Sequence, residues 1–445
     1  MNSRIQSMNR ARGPLLRTLA LSGVISLVWF GSSLAQQAKI NANETFSALR
    51  DQVRTAHASG DGTAYVASSR KLEEFLHNSP SSLLQLMSAQ TFAGDKDGAL
   101  DSFESFIGMG QSDPNTLAGK PFDALRKLPR FDALQAKMAK NNDAIARGTE
   151  FFRMAQTDFL PEDVDYDAET SRFYVTSVLQ KEIVSFDSQG HPKIFAHSPD
   201  AWPMMAIKID ARHRTVWATE VALPGFMWTP KPDWGRSAVL VYSLDSGRLL
   251  HRIEGPSKTT FGDMTLTHGG DAIVSDNDGG GVYRVSGKTF EVELLDGGEF
   301  TSPQTASVSD DDRVAFIPDY SRGIGILDLS TKKVEWLGSA GLHALNGIDG
   351  VYLHGTQLLA TQNGTSPERV IVFALDTARK KVISESIIER ATPTLGDPTH
   401  GVVKDGSFYY IADSGWDAIG DDGSIKEGFK SKSPHLVRVD LKTIQ

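Results

Sequence analysis

From about residue 150 onward, short apolar runs alternate with polar positions and are bounded by Gly, Asp and Asn, the pattern of half-buried strands. Residues 40–148 have a different period. In "FSALRDQVRTAH" and "SLLQLMSAQTF" apolar residues recur every three or four positions, which predicts helices. Gly60-Asp61 returns as Gly94-Asp95 and Pro80 returns as Pro114, both 34 residues later. Gly-Asp would turn the chain within a helix pair, and Pro would break it between pairs.

The strand region repeats one phrase six times. Copies open at Glu162, Pro203, Gly262, Pro303, Asn346 and Thr399, 41 to 59 residues apart. Each copy reads as an inner strand, a polar turn, a second strand ending in Thr, Asp or Ser, a loop and a third strand. Such repeated sheets leave exposed edges unless they close into a ring. The predicted fold is therefore mainly β, a six-bladed β-propeller over 150–445, preceded by a small all-α domain over 40–148. The last copy has little chain left for an outer strand, and "TEFFRMA" (149–155) is the segment available to supply it.

Residues 1–35 carry Arg4, Arg10, Arg12 and Arg17 ahead of an apolar core and end in Ser33-Leu34-Ala35, the layout of a cleavable signal peptide. Its removal would take the net charge from −9 to −13. The expected location is periplasmic or secreted, in a bacterium. An acidic mature chain is a poor partner for nucleic acid or for an anionic membrane surface. Cysteine is absent, which excludes disulfides, thiolate catalysis and zinc–thiolate sites. No Gly-x-Ser-x-Gly elbow, P-loop, His-Glu-x-x-His or dinucleotide fingerprint occurs. "DNDGGG" (276–281) and "SDDDR" (309–313) lack EF-hand spacing and read as turns.

In a propeller the residues just before each inner strand meet at the channel mouth. The repeat thus gathers Glu162, Met204, Asp263, Gln304, Asn346, Asp397 and His400. Glu162, Asp263, Asn346 and Asp397 are hard oxygen donors, suited to Ca2+ or Mg2+. Asp397 is the candidate general base, with His400 second. Met204 and Gln304 are candidate pocket-lining residues. The insertion "GFMWTPKPDWGR" (225–236) would add Trp228 and Trp234 as a lid over an apolar substrate, and 415–434 is a comparable insertion in the last copy.

Two resemblances follow from these motifs. The 34-residue period resembles tetratricopeptide repeats in degenerate form, and such a domain would dock a protein partner or cap the propeller. "LPEDVDYD" and "NGIDGVYLHG" resemble the senescence marker protein, gluconolactonase and luciferin-regenerating enzyme family. That resemblance implies metal ligation by Glu162, Asn346 and Asp397, the last doubling as base, and a metal-dependent hydrolase of lactone or ester type acting on a small molecule. The chain departs from the family at Asp397, where Gly-Asp-Pro-Thr-His-Gly replaces Pro-Asp-Gly. The alternative expectation is a non-catalytic propeller that binds a ligand or a protein, with the helices as its docking domain.

Overall fold

The computed structural model describes residues 41–155, 158–428 and 433–444. The signal-peptide expectation for 1–35 lies outside these residues. No described helix is long and apolar enough to cross a membrane.

Six helices come first: α1 (Ala42–Ala58), α2 (Gly62–Phe75), α3 (Pro80–Phe92), α4 (Lys96–Gly108), α5 (Pro114–Leu117) and α6 (Pro129–Ala139). The Gly-Asp pairs work as the sequence suggests. Gly60 and Gly94 take φ of +76° and +82°, where a side chain is disfavoured. Asp61 and Asp95 then cap the next helices by accepting the N–H groups of Ala64 and Gly98. Ser79 and Asp113 cap α3 and α5, each followed by Pro at the first helical position. Leu100, Phe103, Phe131, Leu134 and Met138 form the main helical core.

The remaining strands form six sheets, consistent with a six-bladed propeller. Blade 1 comprises Pro161–Asp167, Arg172–Ser177, Glu182–Phe186 and Pro192–His197. Blade 2 comprises Met204–Asp210, Thr215–Val221, Ser237–Ser243 and Leu249–Glu254. Blade 3 comprises Phe261–Leu266, Ala272–Asp276, Val282–Val285 and Val292–Asp296. Blade 4 comprises Ser307–Val308, Val314–Asp319, Gly323–Asp328 and Val334–Trp336. Blade 5 comprises Gly350–His354, Gln357–Gln362, Arg369–Leu375 and Lys381–Arg390, with Ile145–Ala146 and Gly338–Ser339 added at its outer edge.

Blade 6 closes the ring. Its three later strands, Gly401–Lys404, Ser407–Ile411 and His435–Asp440, take Thr149–Arg153 as the outer strand. Separate apolar clusters fill the wedges between neighbouring blades, for example Ile207, Val216 and Leu240 between blades 1 and 2.

The helices dock on the face where the inner strands begin, along blades 4 and 5. Three arginines hold three carbonyl ends. Arg322 Nε donates to Phe75 O at 3.1 Å, and its guanidinium lies 4.3 Å from the Phe75 ring and 4.4 Å from Trp336. Arg369 Nη1 donates to Met109 O at 3.2 Å, and Arg390 Nε donates to Asp143 O at 3.2 Å. The accepting residues, 75, 109 and 143, are each 34 apart, so the carbonyl ends repeat with the helical period, while two of the donors, Arg369 and Arg390, share blade 5. A cation at the C-terminal end of a helix is favoured by the helix dipole.

Candidate functional site

Residues near the start of the inner strands of blades 1, 3, 5 and 6 meet at the channel axis and close it. His400 is 1% exposed. Its Nδ1 lies 2.8 Å from Glu162 O, and its Nε2 lies 3.2 Å from Asp349 O and 3.0 Å from Asp263 Oδ1. Burial pushes this imidazole down, but Asp163, Asp263 and Asp349 outweigh it and hold the group well above its ordinary value. Burial likewise raises Asp263, yet hydrogen bonding and charge from His400 win and hold it low. Thr305 Oγ1 and Asn277 Nδ2 each donate to Asp263 at 2.6 Å. Asp163 pairs with Lys208 and accepts Ile207 N–H at 2.8 Å. Asn363 Nδ2 donates to Asp349 at 2.9 Å while its Oδ1 accepts Tyr320 OH at 3.0 Å.

This throat is a structural plug. An imidazolium that donates both N–H groups has no lone pair for a proton, so His400 serves as a tie between blades 6, 1, 3 and 5. Asn363 is fully buried in the plug. Asp349 and Asn363 are throat residues that the repeat analysis missed, and Asp163 lies in a rim segment it identified but stood second there to Glu162. Asp163 and Asp349 sit one and three residues beyond the positions chosen at Glu162 and Asn346. The bulges in the inner strands, between Pro161 and Val164 in blade 1, make that offset hard to count.

Asn346 has another task. Its Nδ2 donates to Leu76 O at 3.2 Å and to Ser321 O at 2.9 Å, joining α2 to blade 4. Met204 is fully buried in the wedge between blades 1 and 2, so it lines no pocket. Gln304 turns its amide back onto Ser302 at 3.0 and 3.1 Å. Trp234 donates to Thr229 O within its own loop.

Glu162 and Asp397 lie at the mouth above the plug, both against the loop after the second strand of blade 6. Trp416 Nε1 donates to Glu162, and Ser414 Oγ lies 3.4 Å from Asp397. The Trp228 ring packs at a tilt 5.9 Å from Trp416 and 5.0 Å from Phe226. Met227 N–H donates to Asp422 O at 2.9 Å, so the two insertions meet. Glu368, at the start of the third strand of blade 5, completes the group. Burial, then the charges of Asp397, Asp417 and Asp413, push its carboxyl up to about 9. Sequence reading passed over Glu368 because it starts a third strand, not an inner one.

The four oxygen donors suggested for a divalent cation have separate commitments. Asp263 is bonded within the throat, Asn346 within the domain contact, and Glu162 and Asp397 at the mouth. Among the described residues no group of three or more His, Asp or Glu is placed to hold a metal ion. These side chains do not fit a shared cation, and no step below uses one.

On the opposite side of the plug the channel holds a cavity of about 180 Å3, lined by Asp165, Lys208, Thr265, Ser307 and Tyr352 among others. Burial pushes the Asp165 carboxyl up to about 6.

No protein-family model matches the chain, and no curated protein matches it. Among solved structures it is similar to a luciferin-regenerating enzyme, at 12% identity over 67% of this chain and 92% of that one, with a TM-score of 0.45. A streptogramin B lyase matches at 16% identity over 65% and 96%, TM-score 0.43. A PQQ-bound aldose sugar dehydrogenase from Streptomyces coelicolor matches at 11% identity over 67% and 99%, TM-score 0.45. Likenesses this distant carry no argument about activity; the propeller rests on the chain's own strand pairing.

Proposed function

We propose that the protein is an exported hydrolase of ester or lactone type that works at the mouth by carboxyl acid–base chemistry. The carrying observation is the carboxyl group at the mouth, where Glu368 faces Asp397, Asp417 and Asp413 and where burial and then their charges push its carboxyl up to about 9. Carboxyls whose environments drive their protonation apart supply an acid and a base at one pH. In this reading Asp397 takes a proton from water as the water oxygen attacks the carbonyl carbon. Glu368 gives its proton to the alkoxide oxygen as the C–O bond breaks. Trp416 and Trp228 offer an apolar wall for the substrate.

The test is turnover of a panel of aryl esters and lactones by the purified full chain. Activity should fall off on an alkaline limb near pH 9, as Glu368 loses its proton. Glu368→Gln and Asp397→Asn should each lower kcat by about 100-fold or more. A panel-wide absence of turnover sinks this reading. The docking of the helices over blades 4 and 5 favours the second reading, a non-catalytic propeller that displays a partner-binding domain. That reading predicts no turnover with any substrate.

A further inference from the structure

We propose that the helical domain is the positioning element for Glu368, through a clamp between the turn after α4 and residues 365–369 of blade 5. Four hydrogen bonds cross between the domains within a few residues. Ser112 N donates to Ser366 O at 2.5 Å, and Ser366 Oγ donates back to Ser112 O at 2.6 Å. Ser366 N lies 3.3 Å from Gln111 Oε1, and Arg369 Nη1 lies 3.2 Å from Met109 O. Glu368 therefore stands between two anchored neighbours, Ser366 and Arg369.

Both sides of the clamp are braced. Gln111, Ser112 and Arg369 are almost wholly buried. Asn141 Nδ2 donates to Gln111 O at 2.8 Å and Asn142 Nδ2 to Ser112 Oγ at 2.8 Å, fixing the helical side. On the blade side Arg369 Nε donates to Gln362 Oε1 at 2.7 Å, and Gln362 in turn holds Ala344 O and Asn346 O. A side chain on Gly110 would strike Arg369 Nη1, so glycine is needed where the arginine enters.

The labour is divided between two parts of the molecule. Asp397, Asp413 and Asp417, which set the charge around Glu368, all belong to blade 6 and its approach. The contacts that hold the Glu368 segment from outside its own blade come from the helices. Loops on a propeller face are ordinarily the mobile part of the fold; here another domain removes that freedom. Gln111, Ser366 and Arg369 are positioning residues in this account, and their effect on catalysis rests on the hydrolase reading above.

The test uses the full chain carrying Gln111→Ala and Ser366→Ala together, which removes the two side-chain bonds that cross between the domains, with the local Gln111–Met109 bond, and spares the buried charge. Ser366→Thr, which keeps the hydroxyl, is the rescue control. Two readouts are taken: amide hydrogen exchange over 362–369, and the alkaline limb of the pH–rate profile. The clamp predicts exchange about tenfold faster in that segment, with blades 1 to 3 unchanged. It also predicts that the alkaline limb moves toward lower pH as Glu368 gains access to water, and that Ser366→Thr restores both. Unchanged exchange overturns the clamp. Faster exchange with an unmoved limb reduces it to a structural contact and overturns the positioning role. If the wild-type chain turns over no ester or lactone, the hydrolase reading fails by itself, and exchange alone then decides the clamp.

Discussion

Replacing His400 by Gln tests the throat. Glutamine keeps similar length and a donor group but removes the charge. In the wild type the imidazolium faces Asp263 at 3.0 Å and two backbone carbonyls, and it is buried. Removing one member of a buried pair costs about 3–5 kcal/mol, since the other charge is left without compensation. Asp263 keeps Thr305 and Asn277, and Gln restores a hydrogen bond worth about 1 kcal/mol, so the expected loss is about 3 kcal/mol.

Urea unfolding followed by tryptophan fluorescence measures this loss. Of the seven tryptophans, all but Trp29 lie at residue 202 or beyond, so the signal reports the propeller. The pH dependence has a definite sign. His400 is raised in the fold, so its stabilisation is complete below about pH 6.5 and fades as pH climbs through its folded value. Asp263 is lowered, so its share is present above about pH 4 and is lost as pH falls through its depressed value. The gap between wild type and variant should be widest between about pH 4 and 6.5. A gap below about 0.5 kcal/mol at pH 5.5, or one that widens on going alkaline, would refute the charged plug.

Other perturbations probe the remaining parts. Arg322→Met removes the cation between Phe75 and Trp336 and should uncouple the two domains, so that unfolding followed by circular dichroism and by tryptophan fluorescence no longer coincides. Phe103→Ala empties a fully buried position in the helical core and should cost about 3–5 kcal/mol in thermal or urea unfolding. Asp165 stays protonated in the fold up to about pH 6, whereas the unfolded chain ionises near pH 4, so its burial costs stability as pH rises across that range. Asp165→Asn should therefore gain on wild type between pH 4 and 7, by at most about 2–3 kcal/mol, in parallel urea titrations.

The strand repeat and the 34-residue helical period were readable because both are local patterns of apolar and turn residues. Gly60-Asp61 and Gly94-Asp95 read as turns and Pro80 and Pro114 as breaks; that Asp61, Asp95, Ser79 and Asp113 cap the helices that follow is seen in the structure. The site was less legible. His400 and Asp263 are brought together as the repeat implies, but their partners Asp163, Asp349 and Asn363 depend on bulges and on strands two blades away. Asn346 looks like a channel residue by its place in the repeat. Its amide is taken by Leu76, 270 residues earlier, through a domain contact that no local pattern encodes. Glu368 owes its character first to burial and then to three aspartates from blade 6, both of which are tertiary properties.

The protonation of Glu368 is the measurement closest to the central claim. With side-chain carboxyls labelled by 13C-glutamate and the Glu368 signal assigned by its absence in Glu368→Gln, a pH titration reads the group directly. The account predicts a midpoint near pH 9. A midpoint in the ordinary glutamate range, about 4 to 5, would contradict it and leave the mouth without its acid.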